Sequence, residues 1–281
     1  MSITVVPILV GQNIVGSTWL FKLKRDASGN INRHKARLVA LGYSQQPGFN
    51  YEELYSPVVH DSLQLLIVLS AYHHWRLQQL DIKAAFLYSI LNKDIYMQFL
   101  EDSRIDGMCG KLNKCIYGLK QSPREWYHRL IDFLTPYRFV VSNFDPCVLM
   151  FKSNNDTINI LFIAIYVDNL SLFGPKGLVM DNLKDLLKLE FKVTDLGDLY
   201  WLLGIRIEYR EHDIALSQSA YINTILKHFG LYDCNPVTYP LDKNHQIDKA
   251  ITTNAYNTDL DINVKLYQQI VGLLIYTVIR T

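Results

Sequence analysis

The chain has 281 residues, of which 49% are hydrophobic and 20% charged, with a formal net charge of +1. This composition supports one large domain or two to three subdomains with a packed core, and it excludes disorder as the default state. The near-neutral charge excludes nucleic-acid binding by bulk charge. Any such binding has to use Lys and Arg concentrated locally.

Residues 18 to 25 alternate apolar and basic, the period of a strand. Asp26 to Asn30 is a turn cluster, and His34 to Tyr43 reads as the return strand. Together they predict a basic hairpin carrying Lys22, Lys24, Arg25, Arg33, Lys35 and Arg37. Asp61 to Tyr72 has helical spacing, with Leu63, Leu66, Val68 and Leu69 apolar. A strand from Trp75 to Leu80 ends at Asp81 and is followed by Ile82-Lys83-Ala84-Ala85-Phe86. Ser122-Pro123 opens a helix through Trp126, Leu130 and Phe133, with Pro in the first turn, where its missing N–H costs nothing. Two apolar runs, Ile160 to Ile165 and Leu170 to Phe173, flank Tyr166-Val167-Asp168-Asn169 and predict a β-hairpin. Leu178 to Phe191 is amphipathic and helical, and Asp195-Leu196-Gly197 leads to a strand over Tyr200 to Tyr209. Gln218 to Phe229 is a further helix, and the chain after Pro240 is polar until the apolar Leu266 to Ile279. Gly29, Gly42 and Gly174 read as turn formers. Strands and helices mix without a βαβ rhythm, so the predicted class is α+β.

The longest apolar runs fall short of the roughly 20 residues of a membrane span, and the N-terminus lacks the charged region of a signal peptide. Cys109, Cys115, Cys147 and Cys234 show no CxxC spacing and read as reduced, mostly buried thiols of an intracellular protein.

The chemistry points to Asp81 and Asp168. Two strand-end aspartates far apart in sequence are what a two-metal phosphoryl-transfer site needs. Asn169 stands where a third carboxylate is expected. It keeps the turn's shape and removes one negative charge. A metal-dependent nuclease would explain the two aspartates, but not Phe86 or the Tyr117–Tyr127 segment.

The surrounding segments carry a resemblance. They are Trp19-Leu-Phe-Lys-Leu-Lys, Lys35-Ala-Arg-Leu-Val-Ala-Leu-Gly-Tyr-Ser-Gln45, Tyr55-Ser-Pro-Val-Val59 and Gln79-Leu-Asp-Ile-Lys-Ala-Ala-Phe-Leu87. Further on come Ile95-Tyr-Met97, Tyr117-Gly-Leu-Lys-Gln-Ser-Pro-Arg-Glu-Trp-Tyr127, Tyr166-Val-Asp168, Asp195-Leu-Gly-Asp198 and Leu203-Gly-Ile205. In this order and over nearly the whole chain they resemble the reverse transcriptase domain of copia-type LTR retrotransposons.

The resemblance implies a right-hand polymerase fold. Fingers would span mainly residues 1–74. A palm with an antiparallel sheet would span 75–235, with a fingers insert around 98–125, and a partial thumb or connection 236–281. It implies RNA-directed DNA polymerisation with two Mg²⁺ ions held by Asp81 and Asp168. Lys35 and Arg37 would grip the triphosphate, Ala84 and Ala85 would let the backbone approach it, and Phe86 would be a steric gate. Gly118, Lys120 and Gln121 would line the nucleotide and template pocket, completed by Pro123 and Arg124. Leu203 and Gly204 would form the primer grip. The implied partners are an RNA or DNA template-primer, a dNTP and the ribonuclease H and integrase parts of a polyprotein. The implied place is the cytoplasm, in a virus-like particle, or the nucleus.

The chain departs from that pattern at Asn169, at Tyr88-Ser89 (His or Asn followed by Gly in the family), and at His60 and Gln64, near positions where the family tends to carry Arg. The stretch Gln98 to Cys109 is also shortened. These departures, and an end at Arg280-Thr281 where the family continues, suggest a truncated, partly degenerate copy. The alternative function is a catalytically dead remnant that at most binds nucleic acid.

Overall fold

In the computed structural model, the described residues are 2–25, 30–48, 50–52, 61–103, 105–151, 160–211, 213–237 and 264–280. Residues 26–29 of the turn expected over Asp26 to Asn30, the Tyr55–Val59 motif, His60 and most of the expected thumb segment lie outside them. The chain divides into two units, Met1–Leu199 and Tyr200–Thr281.

The first unit opens with β1 (Ile3–Pro7), β2 (Ile14–Val15), β3 (Ser17–Arg25) and β4 (Ile31–Ala40), followed by helix α1 (Asp61–Tyr72). Next come β5 (Gln78–Ile82), β6 (Ile90–Met97), β7 (Met108–Lys114) and α2 (Ser122–Leu134). The unit closes with β8 (Phe139–Val141), β9 (Val148–Phe151), β10 (Leu161–Tyr166), β11 (Asn169–Phe173), α3 (Leu178–Glu190) and β12 (Val193–Asp198). The second unit holds β13 (Trp201–Leu202), β14 (Ile205–Tyr209), β15 (Ile214–Ser217), α4 (Ser219–His228) and α5 (Val264–Arg280). The mixture is α+β, as the sequence pattern predicts.

The centre of the first unit is a six-stranded antiparallel sheet in the order β12-β5-β11-β10-β9-β8. Its core face is written in the strands with period two. Leu80 and Ile82 of β5, Leu170 and Leu172 of β11 and Ile163 and Ile165 of β10 share one buried cluster with Trp126, Leu130 and Leu134 of α2 and Met180, Leu183 and Leu187 of α3. The helices supply this face at three- and four-residue spacing. A second sheet, β1-β7-β6-β2, packs Val15, Ile95, Met97 and Leu112 around Ile116 and Leu119. β3 and β4 stand apart as a two-stranded ribbon.

Several sequence expectations shift. Asp81 lies inside β5 rather than beyond its end, because Ile82 still pairs with Val193 of β12. β12 itself is an edge strand that crosses the Asp195-Leu196-Gly197 break with a bulge between Asp195 and Gly197. The strand expected over Tyr200 to Tyr209 is a hairpin. Leu203 and Gly204 both have positive φ, 50° and 83°, and form the two-residue turn between β13 and β14. Gly42 opens a single 3-10 turn, Gly42–Ser44, and Gly174 lies in the bend after β11. Both also permit close packing: a Cβ on Gly42 would meet the Gly118 carbonyl oxygen at 2.1 Å, and one on Gly174 would meet Leu161 Cδ1 at 2.9 Å. At the Tyr88-Ser89 departure, the Tyr88 ring packs edge-on against Phe191 at 5.0 Å, and its hydroxyl accepts from the Lys192 N–H at 2.7 Å. Cys109, Cys115 and Cys147 are free and buried, while Cys234 is free and exposed. Burial pushes the Cys115 thiol up to about 12. No helix among the described residues is long and apolar enough to cross a membrane.

Candidate active site

The alternation that sends Leu80 and Ile82 into the core sends Asp81 to the opposite face. The register then builds a row on that face. Thr194 of β12, Asp81 of β5, Asn169 of β11 and Tyr166 of β10 lie opposite one another across four strands. One step along, Gln79 faces Ser171.

Asp168 sits in the two-residue turn between Tyr166 and Asn169, which are themselves paired. Its neighbour Val167 has φ of 56°, a left-handed conformation that a β-branched residue adopts only at a cost of about 1–3 kcal/mol. Two hydrogen bonds fix this turn. Trp126 Nε1 donates to the Val167 carbonyl at 2.7 Å, and the Ile82 N–H donates to the Asp168 carbonyl at 2.8 Å. Trp126 is almost fully buried, so the core helix holds the strained turn directly.

Asn169 uses both ends of its amide. Its Nδ2 donates to Asp168 Oδ1 at 3.2 Å, and its Oδ1 accepts from Gln79 Nε2 at 3.3 Å. The hydroxyl of Thr194, opposite Asp81, is buried and has no hydrogen-bond partner among the described residues.

The electrostatics draw distant segments together. Burial pushes the Asp168 carboxyl above its ordinary value. A backbone hydrogen bond opposes this, the Asp81 charge adds to it, and Arg37 and Lys35 pull it back. Lys35 is lowered by burial and by the neighbouring charges of Arg37, Lys24 and Arg33, against the pull of Asp81. The Tyr117 phenol is raised by burial, with Arg37 opposing and Asp168 and Asp81 reinforcing. The Arg37 guanidinium lies 4.3 Å from the centre of the Tyr117 ring, and that ring meets Phe86 edge-on at 4.7 Å. Asp81, Asp168, Lys35, Arg37, Phe86 and Tyr117 therefore form one constellation.

Ala84 has a left-handed φ of 55° at the start of the turn that carries Ala85 and Phe86. Ala85 is 1% and Phe86 7% exposed, so both belong mainly to the core. Gly118 has φ of 93°, and a Cβ there would meet the Ala40 carbonyl oxygen at 2.0 Å. This contact, with the Ala40 N–H donating to the Tyr117 carbonyl at 2.9 Å, ties the ribbon's end to the 117–121 loop.

Gln121 does not face open space. It is 5% exposed, its Oε1 accepts from Gln45 Nε2 at 3.0 Å, and its Nε2 donates to the Asn50 carbonyl at 3.0 Å. Lys120 reaches Tyr51, with Nζ 3.1 Å from the hydroxyl. Pro123 occupies the first turn of α2, and Arg124 pairs with Glu125 at 3.3 Å. Leu203 and Gly204 belong to the second unit, where Tyr276 donates its hydroxyl proton to the Leu203 carbonyl at 2.9 Å.

Sequence reading missed Gln79, Thr194 and the anchoring role of Trp126. Gln79 and Thr194 become visible only through register, and the indole N–H was a buried donor in need of an acceptor.

Among the described residues no three or more His, Cys, Asp or Glu side chains gather into a metal cluster. The set here is two carboxylates and an orphaned hydroxyl, all oxygen donors. It suits hard divalent cation binding, with the shell completed by water and phosphate oxygens.

A family model described as "Reverse transcriptase (RNA-dependent DNA polymerase)" matches residues 2–243. The chain is similar to the Retrovirus-related Pol polyprotein from transposon TNT 1-94 of Nicotiana tabacum, at 34% identity over 96% of this chain and 21% of that protein. It is similar to the polyprotein from transposon RE1 of Arabidopsis thaliana, at 36% identity over 81% of this chain and 16% of that protein. It also resembles the transposon Ty1-BL Gag-Pol polyprotein of Saccharomyces cerevisiae, at 28% identity over 71% of this chain and 11% of that protein. The chain thus spans about a fifth or less of these relatives' lengths.

Proposed function

Because the chain belongs to the reverse transcriptase (RNA-dependent DNA polymerase) family, in its copia-type retrotransposon branch, we propose that it carries the nucleotidyl-transfer site of an RNA-directed DNA polymerase at Asp81 and Asp168. In this reading residues 1–74, with the β3–β4 ribbon, act mainly as fingers, residues 75–235, with the six-stranded sheet, mainly as palm with a fingers insert around 98–125, and residues 236–281 as part of the thumb or connection. The single observation that carries it is the convergence of Asp81 and Asp168 with Lys35 and Arg37, residues up to 133 positions apart whose charges act on one another.

Mg²⁺, two ions by family, would be held by Asp81 and Asp168, and when bound it activates the primer 3′-hydroxyl and neutralises phosphoryl charge. The chain's own residues do the rest. Asp81 on a rigid central strand and Asp168 on a turn pinned by Trp126 give the carboxylates fixed positions. Lys35 and Arg37 supply positive charge that a triphosphate would satisfy, and the crowding of Lys35 by other cations favours an anion beside it. Phe86, braced by Tyr117, would press on the nucleotide sugar. A template-primer and a dNTP are the proposed partners, with ribonuclease H and integrase segments of a longer polyprotein. The proposed place of action is a cytoplasmic particle or the nucleus.

The test is Mg²⁺-dependent primer extension on an RNA template, comparing the chain with Asn169→Asp and using Asp81→Ala as the blank. Extension above the blank by the parent or by Asn169→Asp supports the site. No extension by either rejects it as a working catalytic centre.

A second reading rests on Asn169: a remnant that binds nucleic acid through Lys24, Lys35 and Arg37 without turnover. Salt-sensitive binding with no incorporation would support it.

A further inference from the structure

Asn169 is more than a missing carboxylate. An ionised Asp168 can only accept hydrogen bonds, so a neighbouring amide must turn its NH₂ toward it. The distances agree, with Asn169 Nδ2 3.2 Å from Asp168 Oδ1. That choice leaves the Asn169 oxygen in need of a donor, and Gln79 supplies one at 3.3 Å. Gln79 can do so because it is the diagonal neighbour of Asn169 across the β5–β11 ladder, where Asn169 faces Asp81 and Ser171 faces Gln79. Reversing both amides would set oxygen against oxygen at Asp168. The orientation therefore follows from donor and acceptor chemistry.

An aspartate at 169 would behave in the opposite way. It would place a second set of acceptor oxygens against Asp168, with Asp81 directly across the ladder. Three ionised carboxylates so placed repel one another unless a cation sits among them or one takes up a proton.

We infer that the Asn169 amide, oriented by Gln79, stands in for a cation against Asp168, so that the hairpin turn is stable without metal and the site's hold on a divalent ion is weakened. Gln79 is then a positioning residue that sets which end of the Asn169 amide the site sees. The inference rests on the reading of Asp81 and Asp168 as a cation site.

The experiment uses the full chain and Mn²⁺ alone as the probe. Mn²⁺ binding is followed by calorimetry, and thermal unfolding is followed in EDTA and in Mn²⁺. Asn169→Asp should melt a few degrees lower than the parent in EDTA, recover in Mn²⁺, and bind Mn²⁺ about tenfold more tightly through its added charge. Gln79→Met changes no charge and frees the Asn169 amide to turn its oxygen outward. It should lower the melting temperature in EDTA and tighten Mn²⁺ binding severalfold, which a purely structural role for Gln79 would not do. Equal melting in EDTA and equal Mn²⁺ affinity across the parent, Asn169→Asp and Gln79→Met would overturn the inference. The cation-site reading would survive that result if Asp81→Ala abolished Mn²⁺ binding. If no variant bound Mn²⁺, both would fall.

Discussion

The six-stranded sheet and the β3–β4 ribbon each carry half of the candidate site, and they are built on opposite principles. The sheet holds Asp81 and Asp168 over a core sealed by α2 and α3. The ribbon holds Lys35 and Arg37 on two strands that belong to no larger sheet. Its register puts Lys22, Lys24, Arg33, Lys35 and Arg37 on one face and Trp19, Phe21 and Leu23 on the other, the last three 47%, 73% and 48% exposed. A two-stranded hairpin is marginally stable by itself, so the ribbon depends on its anchor at Ala40 and Gly118. The site therefore joins fixed acidic groups to basic groups on an exposed arm.

Four substitutions sharpen or break this contrast. The largest loss should come from Trp126→Ala, which removes a buried indole and the donor that pins the strained Val167 turn. A loss of about 3–5 kcal/mol is expected in denaturant unfolding. A loss below about 1 kcal/mol would mean that the turn does not depend on the core. Gly118→Ala should cost about 2–4 kcal/mol, because the left-handed φ and the Ala40 carbonyl both resist a Cβ. Protease cleavage of residues 17–40 should accelerate in the same variant, since the anchor lies at that end.

Lys184→Met should cost about 1 kcal/mol at neutral pH, by removing the 2.8 Å pair with Asp195. Burial pushes the Asp195 carboxyl up, but the Lys184 hydrogen bond and the Gly197 N–H outweigh it and hold the carboxyl below its ordinary 3.8. A depressed carboxylate stabilises the fold above its unfolded value, and that stability is lost as pH falls through the folded value. The gap between parent and variant should therefore be full above pH 3.8 and close below it. A gap independent of pH would show that Asp195 is not the partner that matters.

Smallest in stability, Lys35→Gln should change unfolding by no more than about 0.5 kcal/mol, since its neighbours on the ribbon are also cations. The same change should reduce the salt slope of nucleic-acid binding by about one. An unchanged slope would detach the ribbon from the proposed interface.

Much of this was legible in the chain. α1 and the opening of α2 fall where apolar spacing and Ser122-Pro123 place them. The Asp168 hairpin follows from two apolar runs around a polar turn. Asp81 and Asp168 stood out as two strand-end aspartates far apart in sequence, set within segments that resemble a polymerase family. The Leu203-Gly204 hairpin was not legible, since Leu gives no warning that it will take a positive φ. The fate of Gln121 was not legible either, because its amide is consumed by Gln45 and Asn50, 76 and 71 residues away.

Local physics decided which residues alternate and which faces they present, and so determined the elements and the paired aspartates. Register and packing decided the rest. Only the ladder set Gln79 diagonal to Asn169 and Thr194 opposite Asp81, and only the closed core brought Trp126 under Val167. Backbone period is a property of neighbouring residues, whereas a hydrogen bond between distant side chains exists only once the chain has closed on itself.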